Sequence, residues 1–346
     1  MTKRVKIGNL YIGGGESVKI QSMTTFKAKE IENTVEQILA LEKEGCDIAR
    51  FSILDIADCN AIKKIKEQTH IPLVADIHFD YRLAVSAIEN GIDKVRLNPG
   101  NIGGEREIGI VADCLKAHNI PVRVGANSGS IEKSLLDEYG VCAKSLTESA
   151  LRNARILEKH GVENIVLSVK SSTVQVNIES YRLLSTLTDY PLHIGVTEAG
   201  GGTSGIVKNA VGIGSLLIDG IGDTLRVSLS DEPIKEIRAA KEILRAVGKD
   251  KNYVDVVACP TCGRCEWDCM AFASKIKDLT KNITKPFKVA VMGCVVNGVG
   301  EGKESDLGIA GGKDKAVIFK KGEIIAQMDF DKAEQFFIKE LERCLN

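Results

Sequence analysis

Apolar runs alternate with helical patterns along residues 18–229. Eight short apolar runs each end in polar residues, and a segment with helical periodicity follows each of them. The runs span residues 18–24, 47–53, 72–78, 94–100, 121–127, 165–170, 192–198 and 224–229. In the first helical segment, Ile31, Val35, Ile38 and Leu41 recur at the spacing of one helix face. The pattern therefore predicts eight repeated βα units.

Regular βα units require parallel strands, and eight similar units favour a closed (β/α)8 barrel of the TIM type. A doubly wound open sheet is the alternative fold, but the eight units show no obvious edge strand or topological switch point. Pro72 and Pro121 open two of the runs, where a missing backbone N–H costs little. We predict an α/β protein with a barrel over residues 1–248.

The pattern changes near residue 249. A cysteine-rich segment comes first, followed by an apolar strand at Phe287–Met292 and a glycine-rich stretch over residues 293–312. Strands and helices no longer alternate regularly beyond this point. We predict that the barrel is followed by a small α+β iron–sulfur domain over residues 249–346.

The end of this small domain carries two local signals. Residues 316–328 show two strands around Lys320-Lys321-Gly322, which is typical of a hairpin. Residues 331–345 show helical periodicity, and Asp331 is the predicted N-cap of this helix.

The composition narrows the functional classes. The chain has 346 residues, with 46 Lys+Arg against 47 Asp+Glu and a net charge of −1. A nucleic-acid-binding protein usually shows a basic excess, so any cationic site has to be local. No apolar run approaches the ~18 residues of a membrane span, and the first residues lack the core of a signal peptide. We expect a cytoplasmic protein with reduced cysteines and with neither a membrane nor a nucleic acid as partner.

Polar side chains cluster at the carboxyl ends of the predicted strands, where barrel active sites lie. Residues two apart share a face of a strand. The pairs are Arg50 with Ser52, Asp76 with His78, Arg96 with Asn98, Arg123 with Asn127, Ser168 with Lys170, and Arg226 with Ser228, while Thr197-Glu198 ends the seventh strand. If these side chains face inward, five cations converge at the barrel mouth against few carboxylates.

Five converging cations need an anionic partner, because buried like charges are costly. Arginine forks match phosphate oxygens, and the glycine-rich loop at residues 199–205 precedes a helix, where barrels commonly bind phosphate. We therefore expect a polyanionic small molecule at the mouth. A single strand-end arginine is more often part of a structural ion pair, and for His78 a structural and a catalytic role both stay open.

Four of the ten cysteines form a C-x2-C-x2-C-x3-C run: Cys259, Cys262, Cys265 and Cys269. Taken alone, this spacing matches the bacterial ferredoxin run for a [4Fe–4S] cluster. Met270 replaces the proline that usually follows, and no second run is present. Structural zinc is the alternative, although a zinc ribbon needs a second C-x2-C and Cys294 stands alone. We predict an iron–sulfur cluster.

A second motif follows the apolar strand of the small domain. It is Gly293-Cys294-Val295-Val296-Asn297-Gly298-Val299-Gly300-Glu301, with a tight turn predicted at Asn297-Gly298. Together with Cys259-Pro260-Thr261-Cys262, this motif resembles the 4-hydroxy-3-methylbut-2-enyl diphosphate synthase family, the iron–sulfur enzymes of the non-mevalonate isoprenoid pathway. The resemblance covers nearly the whole chain and includes motifs at residues 21–24, 74–80, 98–103, 197–201 and 220–228.

The resemblance implies which residues hold the [4Fe–4S] cluster: Cys259, Cys262, Cys294 and Glu301. Cys265 and Cys269 then become bystanders despite their spacing. Val299 departs from the family, which usually has a proline there. Because a carboxylate is a harder and more exchangeable ligand than a thiolate, Glu301 is also expected to yield to a substrate oxygen and thus to act in catalysis.

The resemblance further implies reductive ring opening of 2-C-methyl-D-erythritol 2,4-cyclodiphosphate to (E)-4-hydroxy-3-methylbut-2-enyl diphosphate. Ferredoxin or flavodoxin would supply the electrons, and a homodimer would let the small domain of one chain cap the barrel of the other. The expected substrate-binding residues are Arg50, Arg96, Asn98, Arg123, Asn127, Lys170, Thr197, Arg226 and Ser228. Glu198, Asp76 and His78 are candidates for proton handling, and the sequence does not rank them.

Two other functional classes stay open at this point. One is an iron–sulfur sensor that binds a phosphorylated metabolite without converting it. The other is a zinc-stabilised barrel aldolase acting on sugar phosphates, with Lys170 as a Schiff-base nucleophile.

Overall fold

The computed structural model describes residues 1–265, 267–312 and 314–346, with the backbone alone at Asn297. Two units make up the chain, Met1–Lys249 and Asp250–Asn346. Within the part of the chain described, no helix combines the length and the apolar character needed to cross a membrane.

The first unit contains a two-stranded antiparallel hairpin and eight parallel strands. The hairpin pairs β1 (Val5–Ile7) with β2 (Leu10–Ile12) in antiparallel fashion. The parallel strands are β3 (Lys19–Met23), β4 (Ile48–Ile53), β5 (Leu73–Ile77), β6 (Lys94–Arg96), β7 (Val122–Asn127), β8 (Ile165–Lys170), β9 (His193–Ile194) and β10 (Thr224–Leu225). Every one of them lies within a predicted apolar run.

The order of the parallel strands is that of a closed barrel. Neighbouring strands follow the order β8-β7-β6-β5-β4-β3-β10-β9. A parallel bridge between Leu167 and Leu192 joins β8 to the residue before β9, and the N–H of Leu167 donates to the carbonyl of Pro191 at 2.9 Å. The predicted (β/α)8 barrel is thereby confirmed, and the open-sheet alternative is wrong.

Helices cover the outside of the barrel. They are α1 (Ile31–Glu44), α2 (Ile56–Lys66), α3 (Tyr81–Glu89), α4 (Glu105–His118), α5 (Lys133–Tyr139), α6 (Ala143–Lys159), α7 (Val174–Leu187), α8 (Gly202–Ile218) and α9 (Pro233–Ala246). Val35, Ile38 and Leu41 of α1 are buried, as their periodicity predicts. Helix α1 ends at Gly45, whose φ of 102° is a conformation that glycine adopts at little cost.

The hairpin β1–β2 closes the amino end of the barrel. Its side chains Val5, Ile7 and Ile12 are buried in one cluster with Ile48 and Val74, which lie near the amino ends of β4 and β5. This hairpin is not predicted from the hydrophobic periodicity, because three-residue strands are too short to show a clear alternation.

The second unit is a mixed five-stranded sheet covered by helices. Its elements are β11 (Val254–Ala258), α10 (Cys269–Thr280), β12 (Phe287–Met292), α11 (Val295–Glu301), β13 (Leu307–Gly311), β14 (Lys315–Lys320), β15 (Glu323–Asp329) and α12 (Phe330–Leu345). The sheet order is β11-β12-β13-β14-β15, with the first three strands parallel and the last two pairings antiparallel. Phe272 of α10 packs edge-on against Phe337 of α12 in its core.

Local predictions for this unit were partly correct. The strand at Phe287–Met292 and the hairpin are confirmed, and β14 and β15 turn at Lys321 and Gly322, both with positive φ. Asp331 is not the N-cap of the last helix: Asp329 holds that position and Asp331 lies in the first turn.

The predicted tight turn at Asn297-Gly298 is wrong, because both residues belong to α11. Strands β12 and β13 are parallel neighbours, and a parallel connection requires a crossover segment rather than a reverse turn. Helix α11 is that crossover.

Candidate functional site

The carboxyl ends of the barrel strands enclose a cavity of about 220 Å³. Its described lining residues are Arg50, Asp76, His78, Arg96, Arg123, Asn127, Ser168, Lys170, Thr197, Arg226 and Ser228. These side chains come together because alternation along each strand turns every second residue toward the barrel axis. The structure thus brings together most of the strand-end residues singled out in the sequence.

Two predicted site residues lie outside this lining. Asn98 is half-buried, and its side-chain oxygen accepts a hydrogen bond from the N–H of Gly100 at 3.3 Å. Glu198 is exposed, with a positive φ of 54°, directly after the cavity residue Thr197. Neither side chain contacts the cavity in this structure, so their roles stay predictions.

Asp76 is the carboxylate at the centre of the cavity lining. The strand register places it beside Arg96, which in turn lies beside Arg123. Burial acts to raise the pKa of Asp76, but the contact with His78 and the charges of Arg50, Arg96 and Arg123 outweigh burial and hold this pKa well below its usual value. Asp76 is therefore an anion near neutral pH and is poorly suited to donate a proton there.

His78 contacts both charged partners of this centre. Its Nε2 lies 2.7 Å from Nη1 of Arg96 and 3.6 Å from Oδ1 of Asp76. A guanidinium has no acceptor, so in the contact with Arg96 the Nε2 of His78 accepts, whereas in the contact with Asp76 the same nitrogen donates. The tautomer of His78 decides which of the two contacts is a hydrogen bond.

A second buried carboxylate, Glu236 of helix α9, forms an ion pair with the cavity residue Arg226. Oε1 of Glu236 lies 3.3 Å from Nη2 of Arg226 and accepts the N–H of Leu229 at 3.0 Å. Glu236 is not among the site residues predicted from the sequence. The sequence signal for it is a glutamate on the apolar face of α9, next to the buried residues Ile237 and Ala240.

Two of the five cavity cations have no carboxylate partner among the described residues. Arg123 is 3% exposed and its Nε makes no hydrogen bond in the described part of the chain, while Lys170 is 8% exposed. Burial, followed by the charges of neighbouring cations, lowers the pKa of both groups well below the usual values. Burial likewise lowers the pKa of Arg50 to about 10, against the opposing charge of Asp76. The mouth therefore holds an excess of positive charge.

A second set of polar groups, which is not among the predicted site residues, lies buried in the barrel interior. The Nζ of Lys94 donates to Oε1 of Gln21 at 3.3 Å, and Nδ1 of His193 lies 2.8 Å from Oγ1 of Thr224. Lys94 and His193 are both 0% exposed, and burial lowers the pKa of each well below its usual value. Lys94 lies two residues before Arg96 on the same strand, so strand alternation already indicates that both side chains face the barrel interior.

The glycine-rich loop precedes a helix as predicted. Gly201 is the N-cap of α8, and no side chain among the described residues caps the first N–H groups of this helix. The carbonyl of Gly200 accepts the N–H of Ser230 at 3.1 Å, which ties the loop to the segment after β10. The first turn of α8 therefore presents backbone donors of the kind that bind phosphate.

In the second unit, predicted cluster ligands lie at one edge of the sheet. Cys259 follows β11, and its N–H donates to the carbonyl of Val291 in β12 at 3.0 Å. Cys294 is the N-cap of α11, shortly after β12. Since β11 and β12 are parallel neighbours, Cys259 and Cys294 leave the sheet at the same edge. Cys262 is exposed, and the other two thiols are half-buried.

Glu301 is exposed at the last position of α11. Seven residues make nearly two helical turns, so Glu301 lies on the same helix face as Cys294 and roughly 10 Å along the axis. Helical side chains lean toward the amino end, which directs Glu301 toward Cys294. Three accessible thiols and one free carboxylate are a donor set that fits an iron–sulfur cluster, although among the described residues no three such side chains are already gathered for a metal.

Cys265 and Cys269 have a different environment from the predicted ligands. Their Sγ atoms lie 3.7 Å apart, and Cys269 is fully buried in the core of the second unit. Burial first, and then the neighbouring Cys265, raise the pKa of Cys269 to about 12. Gly293 leaves room for this pair, because a Cβ there would lie 2.9 Å from Sγ of Cys265. Cys265 and Cys269 thus pack as structural cysteines do, in the manner of small hydrophobic residues.

Solved structures of other proteins share the barrel fold. Type I 3-dehydroquinate dehydratase from Clostridium difficile matches 71% of this chain and 99% of its own, with a TM-score of 0.52 and 14% identity. The 3-dehydroquinate dehydratase from Geobacillus kaustophilus matches 71% of this chain and 99% of its own, with a TM-score of 0.50 and 17% identity. At such identities the likeness shows the fold alone.

Sequence relatives share the whole chain. A protein from Caldanaerobacter subterraneus subsp. tengcongensis is 51% identical over 99% of this chain and 97% of its own length, and one from Fusobacterium nucleatum is 50% identical over 100% and 97%. Both are named 4-hydroxy-3-methylbut-2-en-1-yl diphosphate synthase (flavodoxin).

Family models match both units. The model of the GcpE TIM-barrel domain matches residues 2–241, and that of the GcpE protein C-terminal domain matches residues 255–343. The resemblance seen in the sequence motifs is thereby confirmed. With a (β/α)8 barrel, a cationic cavity at its mouth and relatives of about half-identical sequence over their full length, the chain belongs to the GcpE family of 4-hydroxy-3-methylbut-2-en-1-yl diphosphate synthases.

Proposed function

We propose that this chain converts 2-C-methyl-D-erythritol 2,4-cyclodiphosphate to (E)-4-hydroxy-3-methylbut-2-enyl diphosphate by reductive ring opening. The observation that carries the proposal is the barrel mouth, where five cationic side chains line one cavity and Asp76 is the only carboxylate among its described lining residues. The balanced conversion takes up two electrons and two protons and releases one water. The enzyme therefore needs a polyanion site, a source of electrons and groups that handle protons.

The cations bind the diphosphate. They are Arg50, Arg96, Arg123, Lys170 and Arg226. Ligand oxygens supply acceptors to Arg123 and Lys170, which have none of their own in the described chain. A unit charge 4 Å away contributes about 4 kcal/mol at an effective dielectric constant of 20, so several such contacts offset the cost of gathering the cations. Fixed positive charge also stabilises the negative charge that develops on the leaving phosphate.

Neutral polar side chains orient the carbon skeleton and the remaining phosphate oxygens. Asn127, Thr197 and Ser228 line the cavity, and we assign them hydrogen bonds to hydroxyl or phosphate groups of the substrate. Asn98 lies outside this lining and joins this set only if its turn shifts on binding.

Proton handling falls to His78 and Glu198 rather than to Asp76. Asp76 stays a carboxylate because its neighbours lower its pKa, so its role is to hold the arginines in position. His78 reaches the cavity and carries its ring proton on Nδ1 when Arg96 occupies Nε2. Glu198 is exposed beside Thr197 and needs a loop movement to reach the substrate.

We assign a [4Fe–4S] cluster to Cys259, Cys262, Cys294 and Glu301. When bound, such a cluster supplies electrons one at a time from an external reductant. The names of the relatives specify flavodoxin, which we take as the donor, with ferredoxin as the alternative. Glu301 is the one oxygen ligand among thiolates and hence the one that exchanges most readily.

Residues 1–248 then form the substrate-binding domain and residues 249–346 the cluster domain. We further propose a homodimer in which the cluster domain of one chain serves the barrel of its partner. This arrangement would make each active site depend on two chains.

The test is anaerobic purification with iron and sulfide analysis, followed by turnover of the cyclic diphosphate with reduced flavodoxin. We expect iron, sulfide and product formation. Zinc without iron or sulfide would favour a zinc-stabilised aldolase instead. Iron and sulfide together with tight binding but no turnover, even with a strong reductant, would favour an iron–sulfur sensor.

A further inference from the structure

The barrel interior holds more cations than its carboxylates neutralise. Six lysine and arginine side chains face the interior or the mouth: Arg50, Arg96, Arg123, Lys170, Arg226 and Lys94. In the described chain, the ion pairs of these six residues involve only Asp76 and Glu236. Arginine keeps its charge in nearly all environments, whereas a buried lysine releases its proton readily. The two lysines are therefore the groups that adjust their charge.

We propose that a diphosphate enters the barrel mouth together with protons from solvent, which Lys170 and Lys94 take up. This inference rests on the proposed function, because the cyclic diphosphate is the polyanion concerned. It adds a coupling between substrate binding and buried proton uptake.

The surroundings of Lys170 disfavour its ammonium form in the ligand-free chain. Its Nζ has no hydrogen-bond or ion-pair partner in the described chain, and the Cβ that Gly195 lacks would lie only 3.0 Å from it. The charged groups that face it are Arg123 on β7, Arg226 on β10, Arg50 on β4 and Arg96 on β6. Burial and these charges all favour the neutral amine.

Lys94 is also a buried lysine surrounded by cations, and it lies deeper in the barrel than the mouth residues. The only hydrogen bond of its Nζ in the described chain is to Oε1 of Gln21. The charged and titratable groups that face it are Arg123 on β7, Arg50 on β4 and His193 on β9. His193 is buried as well and faces Arg123, Lys170, Lys94 and Arg50, so it adds no compensating negative charge.

A bound diphosphate reverses these conditions. Its oxygens bring negative charge and acceptors to Lys170, which lines the cavity, and they offset the arginine charges that act on Lys94. Both changes favour the ammonium forms, so protons are taken up on binding. Because the proposed conversion consumes protons, uptake at Lys170 brings one into the cavity with the substrate.

Calorimetric titration of the anaerobically purified full chain without reductant tests this inference. The ligand is 2-C-methyl-D-erythritol 2,4-cyclodiphosphate, whose two phosphates each carry one strongly acidic group, so its own charge stays constant between pH 6 and 9. Heats measured in buffers of different ionisation enthalpy give the number of protons exchanged. We expect net uptake of roughly one proton per site at pH 8, and a Kd that rises by up to about tenfold per pH unit for each proton.

Lysine-to-methionine variants locate the protons. Lys94→Met removes a buried amine that does not line the cavity, and we expect binding with reduced proton uptake. Lys170→Met should likewise reduce proton uptake, and it should also bind more weakly because Lys170 lines the cavity. Lys116→Met is the matched control, since Lys116 is a surface residue of α4 paired with Asp113. It should leave both quantities unchanged.

The outcomes separate the inference from the proposed function. Absence of binding by the wild-type chain would overturn both. Binding without proton uptake would overturn the inference alone, and uptake that both methionine variants retain would overturn the assignment to these lysines. If Lys94→Met does not fold, the wild-type buffer dependence and Lys170→Met still decide the matter.

Discussion

Oδ1 of Asp76 lies 3.1 Å from Nη1 of Arg96, while its Oδ2 lies 3.6 Å from Nη2 of Arg50. One carboxylate, 6% exposed, thus holds cations from the strands on both of its sides. The contact explains how the barrel keeps two arginines converging at the mouth before any ligand is bound. It also makes the stability of the barrel depend on the charge of Asp76.

Asp76→Asn keeps the shape of the side chain and removes its charge. We expect the free energy of unfolding to fall by about 3 kcal/mol, because Arg50 and Arg96 stay buried without their partner. Urea unfolding near pH 7 measures this change. Asp113→Asn, at an exposed pair with Lys116, is the control and should change stability by less than about 0.5 kcal/mol.

The stability difference between wild type and Asp76→Asn should depend on pH. The folded pKa of Asp76 lies below its unfolded value near 3.9, so its contribution is complete above that value and is lost as pH falls toward the folded pKa. The stability gap between wild type and Asp76→Asn should hold above about pH 5 and shrink below about pH 4. A gap that widens on acidification would contradict this role.

Arg226→Gln removes one cation of the mouth. We expect the Kd for the cyclic diphosphate to rise roughly 30-fold, corresponding to about 2 kcal/mol for a charge-assisted contact. Calorimetric titration at constant ionic strength measures it. Arg238→Gln is the control, because Arg238 pairs with Glu44 on the barrel exterior. Equal affinities of the two variants would place the diphosphate elsewhere.

Substitution of the predicted cluster ligands separates them from the packed cysteines. Cys294→Ser should lose most iron and sulfide, and Glu301→Gln should lose turnover, because each removes a predicted ligand. Cys265→Ser should keep near-normal iron content and activity, since Cys265 packs beside Cys269 in the core. Iron and sulfide assays with visible absorption spectra check the set. Loss of the cluster in Cys265→Ser but not in Cys294→Ser would establish ferredoxin-type ligation instead.

Thiol reactivity in the metal-free chain should follow burial. Cys262 is exposed and should react early with iodoacetamide, together with the half-buried Cys142, whose pKa is lowered by a hydrogen bond from the N–H of Ser145. Burial raises the pKa of Cys46 to about 12, and burial together with Cys265 does the same for Cys269. At pH 8 both should react at least about 100-fold more slowly than Cys262. Peptide mass mapping over time measures the rates, and rapid labelling of Cys269 would show that this core opens readily.

Mixed dimers test whether an active site uses two chains. Coexpression of Arg226→Gln with Cys294→Ser gives dimers in which one intact barrel can meet one intact cluster domain only across the interface. We expect random mixing to recover up to about a quarter of wild-type activity. Each variant alone should be far less active, and failure of the isolated mixed dimer to recover activity would indicate sites within single chains.

The sequence by itself determined the barrel and most of its mouth. Each βα unit is a local pattern, and alternation along a strand assigns side chains to faces without knowledge of the neighbours. Local alternation is therefore enough to identify the mouth residues Arg50, Asp76, Arg123 and Arg226. The family also followed from sequence, because the motifs around Cys259 and Cys294 are contiguous.

The tertiary structure alone decided what surrounds these residues. Glu236 meets Arg226 only because α9 packs against β3, the neighbour of β10, and the isolation of Lys94 and His193 appears only when eight strands enclose them. Helix α11 replaced the turn predicted at Asn297-Gly298 because β12 and β13 are parallel. Ion pairing, burial and strand direction depend on residues far apart in the chain, so the local hydrophobic periodicity cannot predict them.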